Sequence, residues 1–312
     1  MASLVASWPT AAAETDPYYA WWAPPKDSTT SLNAAIVDAI DEGLRSVNRC
    51  GHPELLRCED VAIRSTARLD RTAGWFMIGL TRAWPVDFSP GSSTEYAERF
   101  VPLSVYRDAP LFPFGHFVPV DPAVRVGDIV FGTDKLAHFF TNGARYFARY
   151  QAVRDGGASV DDAEDAAIAV GLAEEQGLLG QWASGILSYA DLQANYRGLR
   201  FFRSLCEGPR PALRLEQGRW HMDAFDIASH VDPCWDEGFE TSAFAAVDAP
   251  IIAGAVRELC PRYHRPDAQQ RRAAYERQGC RGRSIDIVRR MISQGALPDP
   301  AATAIDKLCI RP

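Results

Sequence analysis

Apolar residues recur at helical spacing over most of the chain. Between 27 and 48 they fall at Leu32, Ile36, Val37, Ile40, Leu44 and Val47, which predicts an amphipathic helix entered through Ser28, Thr29, Thr30 or Ser31. A second, mostly helical stretch is predicted over 59–84. The pattern then stops: 85–128 is dense in Pro, Gly and aromatic residues, which predicts ordered but irregular structure with a short strand around Phe100–Tyr106. Helical spacing returns three times, over 133–152, 160–180 and 188–205, with breaks at Asp155-Gly156-Gly157 and Glu207-Gly208-Pro209. After a loop-like aromatic stretch over 210–245, further helices are predicted at 248–262, 266–279 and 283–294. The expected fold is mainly α: a helical bundle with a long irregular Pro/aromatic-rich segment and little or no β. Residues 14–312 are read as a single helical domain, with its chemistry in 129–206.

Composition narrows this picture. The 312 residues are 47% hydrophobic, enough for a substantial core, and 33 Lys+Arg against 40 Asp+Glu give a net charge of -7. That balance lacks the broad basic footprint of a nucleic-acid binder. No apolar run approaches the roughly 20 residues needed to cross a bilayer, so no transmembrane helix is expected. Residues 1–13 end in Thr10-Ala11-Ala12-Ala13 before Glu14, small residues ahead of a polar start, but carry no positive n-region or full h-region; two readings stand, the remnant of an export signal or a disordered N-terminus. The seven cysteines sit near Gly, Pro or charged residues, a placement that fits disulfides in an oxidising compartment. Cys50/Cys58 and Cys260/Cys280 are the pairs local sequence favours, and an odd count leaves one thiol over.

The candidate chemistry lies in the three central helices. Asp134 and His138 are four residues apart and share a face, flanked by Lys135 and Asn142. The next helix is rich in Ala and Gly and ends in Glu174-Glu175-Gln176. The third places Asp191 and Asn195 four apart, with Gly198 three further on. Brought together, these residues form a site for a divalent metal (Asp134, His138, Asp191) or for general acid/base chemistry by Asp134, His138, Glu174, Glu175, Asp191 and Asn195. The plainer reading of the same residues is local: Thr133 as an N-cap with Asp134 in the first turn, Ser188-x-x-Asp191 as a capping box, and His138 as a hydrogen-bonded core histidine. A further cluster, His230-Val231-Asp232-Pro233-Cys234-Trp235-Asp236-Glu237, reads mainly as an Asx turn pinned by a disulfide, though its acids could complete a site from a loop. No G-x-S-x-G, H-E-x-x-H, P-loop or dinucleotide fingerprint is present.

The string Asp134-Lys135-Leu136-Ala137-His138-Phe139, then Glu174/Glu175, then Ser188-Tyr189-Ala190-Asp191-Leu192-Gln193-Ala194-Asn195-Tyr196-Arg197-Gly198, resembles the VanZ-like and YfiM-like bacterial envelope families. Their pattern is D-K-x-x-H-F, a Glu-bearing segment, then S-x-x-D-x-x-A-N-x-x-G. The resemblance covers about a quarter of the chain. It implies a helical envelope protein whose motif positions are Asp134, His138, Glu174 or Glu175, Asp191 and Asn195. VanZ helices are apolar enough to span a membrane; here Arg145, Arg149, Asp165, Arg197, Arg200 and Arg203 interrupt them, which points to a soluble or peripheral exported form. Two functions are therefore expected: a periplasmic or extracellular hydrolase acting on an envelope lipid or glycan component, or a non-catalytic envelope factor in which these residues form a buried hydrogen-bond network. A third expectation is a binding module using Tyr18, Tyr19, Trp21 and Trp22 as exposed aromatics. Oligomeric state is left open.

Overall fold

The apolar stripe of residues 27–48 forms helix α1 (Thr29–Asn48), which buries Leu32, Ile36, Ile40, Leu44 and Val47. The computed structural model describes residues 15–22, 24–79, 101–111, 123–177 and 180–310. Helix α2 (Cys58–Gly79) packs on α1 where Gly43 faces Ser65; a Cβ at Gly43 would lie 2.6 Å from the Ser65 carbonyl carbon. A β-hairpin, β1 (Ala123–Val126) and β2 (Ile129–Gly132), leads into a continuous helix built of three pieces. These are α3 (Asp134–Ala137), a π-helical turn (His138–Asn142) and α4 (Gly143–Asp155). Then follow α5 (Val160–Glu175), α6 (Gln181–Ser184), strand β3 (Ile186–Leu187) and α7 (Tyr189–Cys206). A hairpin of β4 (Leu213–Glu216) and β5 (Arg219–Met222) comes next, then β6 (Ala243–Phe244), which pairs with β3. The chain closes through α8 (Ala249–Glu258), α9 (Cys260–Tyr263), α10 (Pro266–Gln278), α11 (Arg283–Ser293) and α12 (Ile305–Leu308). The protein is mainly helical, with small antiparallel β pairs.

Helix α7 runs through the middle of the core, and two glycines set how closely its neighbour approaches. A Cβ at Gly143 would stand 2.6 Å from the Gly198 Cα, and one at Gly198 would strike the Phe139 carbonyl oxygen. The two backbones are therefore in direct contact. Phe139, Phe147, Leu192, Leu199 and Phe202 close the core on either side of this crossing. The apolar packing brings the polar faces of the same helices together.

Several expectations from sequence need correction. The strand expected at Phe100–Tyr106 is replaced, over its described residues, by a 3-10 turn (Val101–Leu103) and further turns. Side chains take its ladder donors: Val105 N donates to Asp16 Oδ2 at 2.5 Å and Tyr106 N to Ser104 Oγ at 3.0 Å. The helix predicted over 160–180 ends at Glu175, and 181–184 is a separate turn of helix that follows Gly180, whose φ of -140° and ψ of -110° are not helical. Residues 1–14, 80–100 and 112–122, which carry the export-signal reading and most of the irregular segment, lie outside the described residues.

The aromatic lead-in is not an exposed binding face. Tyr18, Tyr19 and Trp21 are 5%, 4% and 1% exposed, because each tip finds an interior use for its polar atom or ring face. Trp21 Nε1 donates to Asp236 Oδ2 at 2.9 Å, and the Tyr19 hydroxyl accepts from Ala123 N at 2.9 Å.

The disulfides are Cys58–Cys206, Cys234–Cys280 and Cys260–Cys309, with Cα separations of 5.7, 5.5 and 5.1 Å. Neither locally favoured pair forms. Cys50 keeps an exposed free thiol at the end of α1, while Cys58, at the start of α2, faces the end of α7. The pairing follows proximity in the folded core rather than along the chain.

Candidate functional site

The polar centre is organised by Lys135. Its side chain is completely buried, and its ammonium nitrogen lies 2.6 Å from Asp134 Oδ2, 2.6 Å from Asp191 Oδ1 and 2.6 Å from Glu237 Oε1. A buried ammonium is tolerated only when its charge and donors are met, and three carboxylates meet them here. Burial alone would lower the lysine pKa; the three carboxylates outweigh it and hold the group well above its ordinary value.

Each carboxylate is in turn positioned by its own element. Asp134 opens α3 and accepts from Thr15 Oγ1 at 3.1 Å; Gly132 leaves the room this contact occupies. Thr133 makes no side-chain cap, while Asp134 does lie in the first turn of α3, where the helix dipole also favours its charge. Asp191 sits in the first turn of α7, where the helix dipole favours a carboxylate, and its backbone N–H donates to the capping Ser188 Oγ at 3.2 Å. That same hydroxyl donates to Glu237 Oε1 at 2.8 Å, so the cap of α7 is also a strut of the site. Glu237 arrives from the loop after the 3-10 turn Pro233–Trp235, and its second oxygen accepts from the Tyr106 hydroxyl at 3.2 Å.

His138 begins the π-helical turn. An i→i+5 turn inside an α-helix shifts the phase of the residues after it, and such insertions are common at functional sites. Here it lets His138 and Asn142 both face α7. The His138 Nε2 lies 3.2 Å from Asp191 Oδ2. On the other side of the ring, Asn142 Nδ2 is 3.0 Å from Nδ1. The Asn195 amide also meets Nδ1 at 3.0 Å, and its surroundings are satisfied when its nitrogen faces the ring and also donates to the backbone oxygens of Asp191 and His138, each at 3.2 Å. Both ring nitrogens therefore have protein partners. Burial lowers the imidazole pKa, but the neighbouring Asp191 raises it further, and the net shift is upward. Asp191 is pushed up by burial and held below the usual carboxylate range by His138 and Lys135 together.

The structure thus brings Asp134, His138, Asp191 and Asn195 into one network. The two glutamates of α5 stand to one side. Glu174 pairs with Arg145, and burial raises its pKa; its Oε2 has no hydrogen-bond partner among the described residues. Glu175 is buried beside Gly180. The Tyr146 hydroxyl lies over Gly171 of the same helix, and the other end of the Asn195 amide, its oxygen in this orientation, lies 3.4 Å from it.

Sequence reasoning placed Lys135 only as a flanking residue and left Glu237 in a separate cluster. Nothing local marks Lys135 as buried; its partners come from positions 1, 56 and 102 residues away. The Asx turn in that second cluster is present, with Cys234 N donating to Asp232 Oδ1 at 2.9 Å and Cys234 bonded to Cys280. His230 is a core histidine, set among Phe139, Phe201 and Phe225 with its pKa lowered to about 4 by burial and by Arg197.

Ligand atoms of Asp134, His138 and Asp191 lie within 4.8 Å of one another, a donor set suited to a divalent cation. The Lys135 ammonium already contacts both carboxylates of that set, so with Lys135 protonated the site does not fit a second cation. The cavity bounded by Asp16, Tyr106, Glu237 and Ser242 measures about 10 Å³, room for one water.

Further buried acids give the protein an unusual pH response. Burial raises Asp16 to about 6, Asp236 to about 7 and Glu237 to about 7, against hydrogen bonds or cations that pull each down. A carboxyl whose folded pKa lies above its unfolded value stabilises the fold fully below the unfolded value, near 4, and loses that contribution as pH rises through 6–7. Raised His138 acts in the same direction; His230, lowered to about 4, acts in the opposite direction below its unfolded value near 6.5 but is outweighed by the three acids, while the depressed Asp191 matters only in strong acid. Stability to urea is therefore expected to increase, by on the order of a few kcal/mol, as pH falls from 8 to 5. A midpoint that declines over this range would contradict the assignment.

Comparison with known proteins finds no matching family, no matching curated protein and no matching solved structure.

Proposed function

We propose that this is an exported, envelope-associated protein in which the Lys135-centred network is a non-catalytic lock that holds a helical bundle together. One observation carries this reading: each cationic or imidazole nitrogen of the centre is met by the protein's own groups, Lys135 by three carboxylates and His138 by Asp191 on one side and amides on the other. A general base needs one ring nitrogen free to meet substrate, and a metal ligand needs a free lone pair. Three disulfides support export to an oxidising compartment, the periplasm or outside the cell. Among the described residues no helix is long and apolar enough to cross a membrane. The VanZ-like and YfiM-like pattern supports the envelope assignment through residues 133–198.

A specific observation favours a second reading, hydrolysis of an envelope lipid or glycan component. The His138 side chain is 14% exposed, more open than Asp191 beside it, and Glu174 nearby keeps a buried oxygen without a hydrogen-bond partner among the described residues. In that version His138 is the base or a metal ligand, Asp134 and Asp191 orient it or join it as ligands, Glu174 or Glu175 is the acid, and Asn195 donates to substrate or water.

His138→Ala and Asp191→Ala separate the two readings. The lock predicts that Asp191→Ala costs about 3–5 kcal/mol in urea denaturation, because Lys135 and His138 lose a buried partner. It also predicts that the wild-type protein carries no stoichiometric metal by elemental analysis. Bound metal that disappears in variants of unchanged stability would reverse the assignment.

A further inference from the structure

The groove between the first hairpin and α10 lies on a different part of the fold from the Lys135 network. It has a volume of about 340 Å³, within the range of small-ligand sites. Its walls include Arg125 and Asp128 from the hairpin and Arg271, Ala274 and Tyr275 from α10. Tyr275 fixes one wall against the other: its hydroxyl accepts from Val130 N at 2.9 Å and donates to the Asp128 carbonyl at 3.2 Å.

Both arginines are held in place by backbone carbonyls. Arg125 donates through Nε to the Pro25 carbonyl and through Nη1 to the Gly127 carbonyl, each at 2.8 Å. Arg271 donates through Nη1 to the Ala20 carbonyl at 2.9 Å. Neither makes a direct ion pair with a carboxylate among the described residues, although Asp27 acts electrostatically on Arg125 and the buried Asp236 on Arg271; Asp267, also on the groove, is paired with Arg265 at 3.1 Å. A carbonyl orients a guanidinium and leaves donors over. Two oriented guanidiniums on one groove, each with N–H donors to spare, match a planar or tetrahedral oxyanion.

We infer that this groove binds a small polar ligand bearing an oxyanion, a carboxylate or a phosphate, through Arg125 and Arg271. The exposed Asp128 carboxylate at the rim favours ligands that carry hydroxyl or ammonium groups beside the oxyanion.

Isothermal titration of the full chain with inorganic phosphate and, separately, with glucuronate tests this and distinguishes the two sources of the oxyanion. Saturable binding of either probe is expected, weakened at least tenfold in Arg271→Gln. Because Arg271 also tethers the Ala20 carbonyl, Ala274→Glu provides a variant that keeps both arginines and places a competing carboxylate in the groove; it is expected to abolish binding. Failure of both probes to saturate on the wild-type protein, or wild-type affinity in Ala274→Glu, overturns the proposal.

Discussion

Lys135→Met is expected to destabilise the protein by about 3–5 kcal/mol, the usual cost of removing one partner from a buried ionic cluster. Methionine approximates the unbranched stem, so packing is largely preserved and the loss reports the ammonium. Without it, Asp134, Asp191 and Glu237 face one another in a space from which water is excluded. The cluster would have to take up protons, so the variant should recover stability in acid more steeply than the wild type. Adding Glu237→Gln to Lys135→Met removes one of the stranded charges and should restore part of the loss. Urea denaturation of the three proteins at pH 5 and pH 8 measures both effects. A Lys135→Met variant within 1 kcal/mol of wild type at pH 8 would show that the cluster does not hold the fold.

Reduction of the disulfides is expected to have a still larger total effect. Cys58–Cys206 spans 148 positions of chain, Cys234–Cys280 spans 46 and Cys260–Cys309 spans 49. Loss of one native disulfide typically costs about 2–5 kcal/mol, and a whole domain is typically stable by only about 5–15 kcal/mol. Full reduction should therefore unfold the protein at 37 °C, seen as loss of near-ultraviolet circular dichroism after treatment with dithiothreitol. The three bonds should not be equivalent at the site. Cys234–Cys280 ties the loop that delivers Glu237 to the turn before α11, so Cys234→Ala/Cys280→Ala should also shift the titration of His138 followed by nuclear magnetic resonance. Cys260→Ala/Cys309→Ala, which joins α9 to the end of α12, should leave that titration in place. Retention of the native spectrum under full reduction would sink the first expectation, and equal His138 shifts in both variants would sink the second.

Much of the helical layout was legible in the sequence because it follows from local periodicity. The stripe Leu32–Val47 became α1 with the expected buried face, Ser159 and Ser188 cap α5 and α7, and the breaks after Asp155 and Cys206 fall where glycine and proline stand. The central motif was legible in part. Asp134/His138 and Asp191/Asn195 are i, i+4 pairs, so their shared faces follow from helix geometry. Glu174 and Glu175 lie on the helix the sequence predicts, but Glu174 reaches the network only through Arg145, which also contacts Asn142, since nothing local determines which turn of α5 reaches α7.

What remained was decided by contacts between distant parts of the chain. Lys135 is a residue type usually found at the surface and is completely buried here because Asp191 and Glu237, 56 and 102 positions later, join Asp134 around its ammonium. Tyr19 and Trp21 look like part of an exposed patch until Ala123 and Asp236 supply their partners. The cysteine pairing inverted the local expectation for the same reason. Helix positions and caps are settled by interactions within a few residues, which any reader of the chain can count. Burial, charge pairing and disulfide choice depend on which surfaces the hydrophobic core presses together, and that is a property of the whole packed molecule.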